Sequence, residues 1–224
     1  MLREHLDKLK KQLMESAFLV DGMIEKSING LLQGDKKLLS EVIEQDEPKE
    51  NRAEIGIDEA CIHLIACYQP QARDLRTILM VLKMNNDLER MGDEAVNISE
   101  SALFLVDRPE VKPLIDIPRM ADEAKKMLRD SLKALVDGDT QLAKDVCERD
   151  DIVDGLRDQI FRELITLMAS DSSVIERSIR LIRISQSLER IADLSTNICE
   201  DVIYMVEGKT IKHPAEKVKK DRLK

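Results

Sequence analysis

The residues in this chain whose types and spacing could do chemistry are carboxylates, and they come in duplicate. Glu89, Asp93 and Asn97 are spaced i, i+4, i+8, and Glu189, Asp193 and Asn197 repeat the pattern 100 residues later. On a helix of 3.6 residues per turn each trio makes one stripe. Upstream of each stripe lies another acid pair, Asp46 with Glu50 and Asp150 with Asp154. In an antiparallel hairpin, residues equidistant from the turn lie at one height. The midpoint between Asp46 and Asp93 falls at Gln69-Pro70, and that between Asp150 and Asp193 at Asp171-Ser172. Both points read as turns, so two neighbouring helices can bring four carboxylates together in each half of the chain. Crowded carboxylates repel unless they are protonated or bridged by cations, and helical bundles commonly solve this with a metal site. Hard oxygen ligands suit Mg, Ca or Mn, and in part iron or zinc.

A single Glu-x-x-x-Asp pair is usually an ordinary solvated face, with Arg90 and Arg190 as salt-bridge partners here. Duplication at matched heights is what argues for a site. The Glu-x-x-His of oxygen-activating bundles is absent, and His5, His63 and His213 all lie away from the stripes. Cys61, Cys67, Cys147 and Cys199 show no CxxC spacing, so they read as buried reduced thiols rather than a zinc knuckle. Arg73 and Arg76 stand near the first turn, where they serve either a solvated face or an anion. The ten Met residues sit mostly at core spacing.

The elements that must position these acids are helices. Leu13, Ala17, Val20, Ile24, Ile28 and Leu31 step by three or four and form one apolar stripe. Gly34-Asp35 ends that helix with a left-handed cap and starts the next. A second helix is expected from about 36 to 67, kinked at Pro48, and a third from about 72 to 106. Three prolines, Pro109, Pro113 and Pro118, mark a linker. The pattern then restarts: a fourth helix from about 119 to Gly138-Asp139, a fifth over 140–169, a sixth over 174–206 ending at Gly208. The expected organisation is therefore residues 1–107 as a first three-helix unit, 108–118 as linker, 119–208 as a second unit, and 209–224 as a basic tail.

Of the thirteen residues from Leu88 to Glu100, seven are identical in the segment from Leu188 to Glu200. Val42, Glu44 and Asp46 match Val146, Glu148 and Asp150 at a spacing of 104. Composition agrees with an all-α chain: 224 residues, 8 Gly, 6 Pro, no Trp and 35% charged residues. Too few turn residues are present for a β-sandwich or barrel, and no Gly-rich phosphate loop follows an apolar run. Net charge is −9, and the tail from Lys209 carries seven Lys/Arg against two Asp/Glu, leaving the body at −14. An acidic body argues against nucleic-acid binding. The absence of a span-length apolar stretch or a signal-peptide core leads to an expectation of a cytoplasmic protein.

Gln69-Pro70-Gln71-Ala72-Arg73-Asp74-Leu75-Arg76, followed by Leu88-Glu89-Arg90-Met91-Gly92-Asp93, resembles the PhoU family of phosphate-uptake regulators. Leu188-Glu189-Arg190-Ile191-Ala192-Asp193 with Asn197-Ile198 resembles its second copy, and the resemblance runs from about Leu6 to about Gly208. It implies two three-helix bundles related by a pseudo-twofold. It implies multinuclear clusters, of iron or zinc, on Glu89-Asp93 and Glu189-Asp193, with Asp46 and Asp150 as partners on the neighbouring helices. The implied role is non-enzymatic: restraint of the phosphate-starvation response and of import through the high-affinity ABC transporter. The implied partners are that transporter's ATPase, a membrane sensor histidine kinase and a second copy of the chain, with membrane contact only through partners. The chain departs from the family pattern at Glu94 and Leu194, where His often follows the second Asp, and at Pro48 and Glu50, so metal identity and nuclearity stay open. The competing readings are a carboxylate-bridged bundle metalloenzyme and a metal-storage bundle.

Overall fold

The structure, a computed structural model, describes residues 2–208; the basic tail over 209–224 lies outside the described residues. Helix α1 spans Leu2–Gln33. Its expected stripe is buried throughout, from Leu13 to Leu31. Gly34 ends it at φ +67, in the left-handed region where glycine carries no Cβ penalty. Asp35 then caps α2, Lys36–Glu41, by accepting from the backbone N–H groups of Lys37 and Leu38. Gly30 marks a close approach, since a Cβ there would meet Leu39 Cδ2 at 2.5 Å.

The interruption expected at Pro48 takes the form of a π-helical turn over Val42–Asp46, after which α3 runs Glu47–Tyr68 with the proline in its first turn. The Glu47 N–H reaches back to the Val42 carbonyl across the wider turn. Helix α4 spans Ala72–Leu105. The linker is shorter than expected, because α5 begins at Asp116 and runs to Asp137, taking Pro118 into its first turn. Helix α6 spans Thr140–Ser170, a 3-10 turn covers Ser172–Val174, and α7 spans Ile175–Glu207. Gly138 and Gly208 repeat the left-handed cap of Gly34.

Each half is a three-helix unit, α1, α3 and α4 in the first and α5, α6 and α7 in the second. The two units pack on each other mainly through α4 and α7, and one apolar core runs through both. Seven of the ten Met residues, from Met23 to Met205, lie in that core. Two ion pairs cross between the units on α4 and α7, Lys83 with Asp201 and Arg190 with Glu94. They fix the two helices as antiparallel, with rising numbers on one opposite falling numbers on the other. No helix among the described residues is long and apolar enough to cross a membrane.

Candidate functional site

The hairpin α6–α7 places its acids as the spacing predicts. Burial, then Asp193, Asp154 and Glu189, push the Asp150 carboxyl up to about 6. Asp193 is raised too, by burial and then by Glu189 and Asp154. Sequence reasoning missed the cation in this cluster. Arg157 reaches Asp154 at 2.9 Å and Asp158 at 3.0 Å, and its guanidinium also binds Glu189. Its position one turn beyond Asp154, on the same face of α6, was the available signal.

The hairpin α3–α4 is built differently. Asp46 does not face Glu89 and Asp93. It is buried, and it is bound by Lys26 of α1 at 2.6 Å and by Lys49 at 2.9 Å. Burial alone would raise its pKa, but these two ammonium groups outweigh it and hold the carboxyl below its usual range. The physical reason is the π turn ending at Asp46. The wider turn shifts the phase of everything before it, so Asp46 points to α1 while α3 keeps its face. Asp150, on an unbroken helix, keeps its place.

Glu50 takes the central position instead. Only 2% exposed, its Oε1 has the Ser16 hydroxyl as its polar neighbour, and neither atom completes a hydrogen bond in this geometry. Its side chain lies over Gly92, whose Cβ, if present, would stand 3.5 Å from Glu50 Cγ. Burial, then Glu89, Glu54 and Asp93, push the Glu50 carboxyl up to about 7. Glu89 is raised by burial, Asp93 and Glu54, and Asp93 by burial and Glu94. The first cluster is therefore Glu50, Glu54, Glu89 and Asp93. Glu54 was missed, although it continues the i+4 step from Glu50 and aligns with Asp158.

Asn97 shares a groove with Glu189 and Asp193 of the second unit, and Asn197 lines the neighbouring groove. Asn97 donates to Glu94 at 3.1 Å. Among the described residues no three His, Cys, Asp or Glu side chains stand close enough to hold an ion as placed, so ligation requires the acidic side chains to change rotamer. The donor set still fits a cation in the first unit, where a buried carboxylate oxygen stands without a completed hydrogen bond among three further acids. In the second unit Arg157 supplies the positive charge that an ion would replace.

Arg90 and Arg190 act as salt-bridge partners, to Asp87 at 3.7 Å and to Glu94 at 3.3 Å. Arg73 is exposed, and Arg76 keeps a buried Nε without a partner. All four cysteines are free. Cys61 and Cys199 are buried as expected, and burial pushes the Cys61 thiol up to about 12. Cys147 is half-buried. Cys67 is exposed, against expectation, with its sulfur 3.6 Å from His63 Nδ1.

Comparison with known proteins places this architecture. The PhoU domain pattern matches residues 13–102 and again 117–202. The chain is 41% identical over 212 residues to a phosphate-specific transport system accessory protein PhoU homolog of Aquifex aeolicus, covering 95% of this chain and 96% of that protein. It is 34% identical over 209 residues to the homolog of Pseudomonas aeruginosa, covering 93% and 86%. The crystal structure of PhoU from Pseudomonas aeruginosa superposes with a TM-score of 0.90 at 33% identity, over 93% of this chain and 100% of that one. That of the phosphate transport system regulatory protein PhoU from Streptococcus pneumoniae gives 0.87 at 26% identity, over 95% and 100%.

Proposed function

The chain belongs to the PhoU family, and on that premise we propose that it is a non-enzymatic, metal-binding regulator that restrains phosphate import and the phosphate-starvation response. A role in phosphate transport follows from the family, since its relatives are named as accessory proteins of the phosphate-specific transport system. The observation that carries the finer reading is the duplicated acidic cluster on a duplicated scaffold. Glu50, Glu54, Glu89 and Asp93 would hold a cation in one unit, and Asp150, Asp154, Glu189 and Asp193 in the other. Bound iron or zinc would supply positive charge where the fold has concentrated negative charge. The chain's own residues supply two similar acidic faces in fixed relation, suited to meeting basic patches on a partner. The proposed partners are the transporter's ATPase and a membrane sensor histidine kinase, met in the cytoplasm by a homodimer of this chain.

The test is deletion of the gene, with a phosphatase reporter and intracellular phosphate measured in phosphate-rich growth. The expected result is a starvation response left on and raised uptake, restored by the wild-type chain. Normal repression and normal uptake would overturn the regulatory reading and leave metal storage as the function.

A further inference from the structure

Two of the four free cysteines face each other across the α6–α7 hairpin. Cys147 stands on α6 and Cys199 on α7. The register that sets Asp150 opposite Asp193 sets Cys147 opposite Thr196, one turn before Cys199. The Cys147 sulfur lies 4.0 Å from the Thr196 carbonyl oxygen. A helical carbonyl points along the axis toward the residue four positions on, so this oxygen stands at the height of Cys199 and Glu200. The two thiols meet there, in a side-chain hydrogen bond to each other.

The pair is unequal in access. Cys199 is 0% exposed, whereas Cys147 is only half-buried. The hydrogen bond from Cys199 holds the Cys147 thiol below its ordinary range, against burial and the charges of Glu200 and Asp150. The same bond and burial push Cys199 up. The thiolate is the reactive form, so Cys147 is placed to attack and Cys199 to resolve. The other cysteines lack this arrangement. Cys61 is buried, with its sulfur 3.9 Å from the Ile78 carbonyl, and Cys67 stands on the surface beside His63. At the matching spacings of 104 and 100 the first unit carries Ile43 and Ser99 instead.

We propose that Cys147 and Cys199 form a reversible disulfide on exposure to hydrogen peroxide, a modification site that joins α6 to α7 in the second unit alone. The Cys147 sulfur attacks one peroxide oxygen and the O–O bond breaks. A sulfenic acid forms, and the second oxygen leaves as water with the thiol proton. The Cys199 sulfur then attacks the sulfenic sulfur. The S–S bond forms, the S–O bond breaks, and the hydroxyl leaves as water with the Cys199 proton. Together the two thiols lose two electrons, and one peroxide is reduced to two waters. A dithiol reverses the step by thiol–disulfide exchange. The bond closes a loop of about 50 residues, long enough to constrain the unfolded chain strongly. It lies one turn from Asp150, at the end of the acidic cluster away from the hairpin turn. The inference does not depend on the regulatory or metal-binding reading above.

The test is treatment of the full-length, chelator-stripped chain carrying Cys67→Ser with a low molar excess of hydrogen peroxide. Thiol counting, peptide mass mapping and a thermal melt follow. Cys67→Ser removes the exposed thiol, which has no part in the pair. The expected result is a cross-link between Cys147 and Cys199 within one chain, with Cys61 still reduced. The melting temperature should rise by about 5–10 °C and return with dithiothreitol. Cys147→Ser should slow the loss of thiol at least about tenfold. Cys199→Ser, which installs the residue of the first unit, should leave a Cys147 sulfenic acid that dimedone traps. Cysteines that all stay reduced, Cys147 oxidised to sulfinic acid with Cys199 free, or cross-links only between chains would overturn the proposal.

Discussion

Glu50→Gln should stabilise the chelator-stripped protein at pH 8 by roughly 2–3 kcal/mol, and it should flatten the dependence of stability on pH. The Glu50 carboxyl stands at about 7 in the folded chain against an ordinary 4.5. Well below pH 4.5 both folded and unfolded chains hold the proton. Between there and about 7 the folded state binds more protons than the unfolded one, so stability falls as pH rises through that window. Each pH unit is worth about 1.4 kcal/mol, which sets an upper bound of about 3.4 kcal/mol over this window, and burying the polar glutamine amide takes back part of it. Glutamine keeps the shape and offers its amide hydrogens to the surrounding carboxylates. For a chain of this size the melting temperature should rise by about 4–12 °C at pH 8 and change little at pH 4.5. Asp150, raised to about 6, acts in the same direction in the second unit. The checks are thermal melts from pH 4.5 to 8 for wild type and variant. Parallel curves would show that Glu50 does not carry the pH dependence.

Lys83→Met should destabilise the chain by about 2–3 kcal/mol. Asp201 is 3% exposed, and Lys83 is the ammonium that pairs with it across the interface of the two units. Removing the cation strands a buried carboxylate, which costs about 3–5 kcal/mol in a closed interior. The groove beside it admits solvent, so the cost falls to the bottom of that range or just below it. Melting should fall by about 4–12 °C. Changing both residues together, Lys83→Met with Asp201→Leu, should recover most of the loss, because the penalty belongs to the unpaired charge and not to the missing pair. An unchanged melt in the single variant would mean that the pair does not hold α4 to α7.

Much of the helix order was legible because it rests on local signals. The stripe from Leu13 to Leu31, the glycine caps at 34, 138 and 208, and the internal repeat each follow from backbone geometry and periodicity. The carboxylate hairpin was legible in the second unit, where α6 is continuous and equal distance from the turn means equal height. It failed at Asp46 because a π turn changes the phase of a helix without leaving a periodicity to read. Pro48 announced an interruption but not its kind. Arg157 and Glu54 lay one helical step from residues already singled out.

The most direct test is metal stoichiometry. The full-length chain, stripped with chelator and then loaded with Zn²⁺ or, anaerobically, with Fe²⁺, is desalted and its metal content measured per chain. The account predicts retained metal in both units. Glu50→Gln with Glu89→Gln should remove one share, and Asp150→Asn with Asp193→Asn the other, each leaving its counterpart loaded. Protein that retains no metal, or variants that retain as much as wild type, would contradict the assignment of the two acidic clusters.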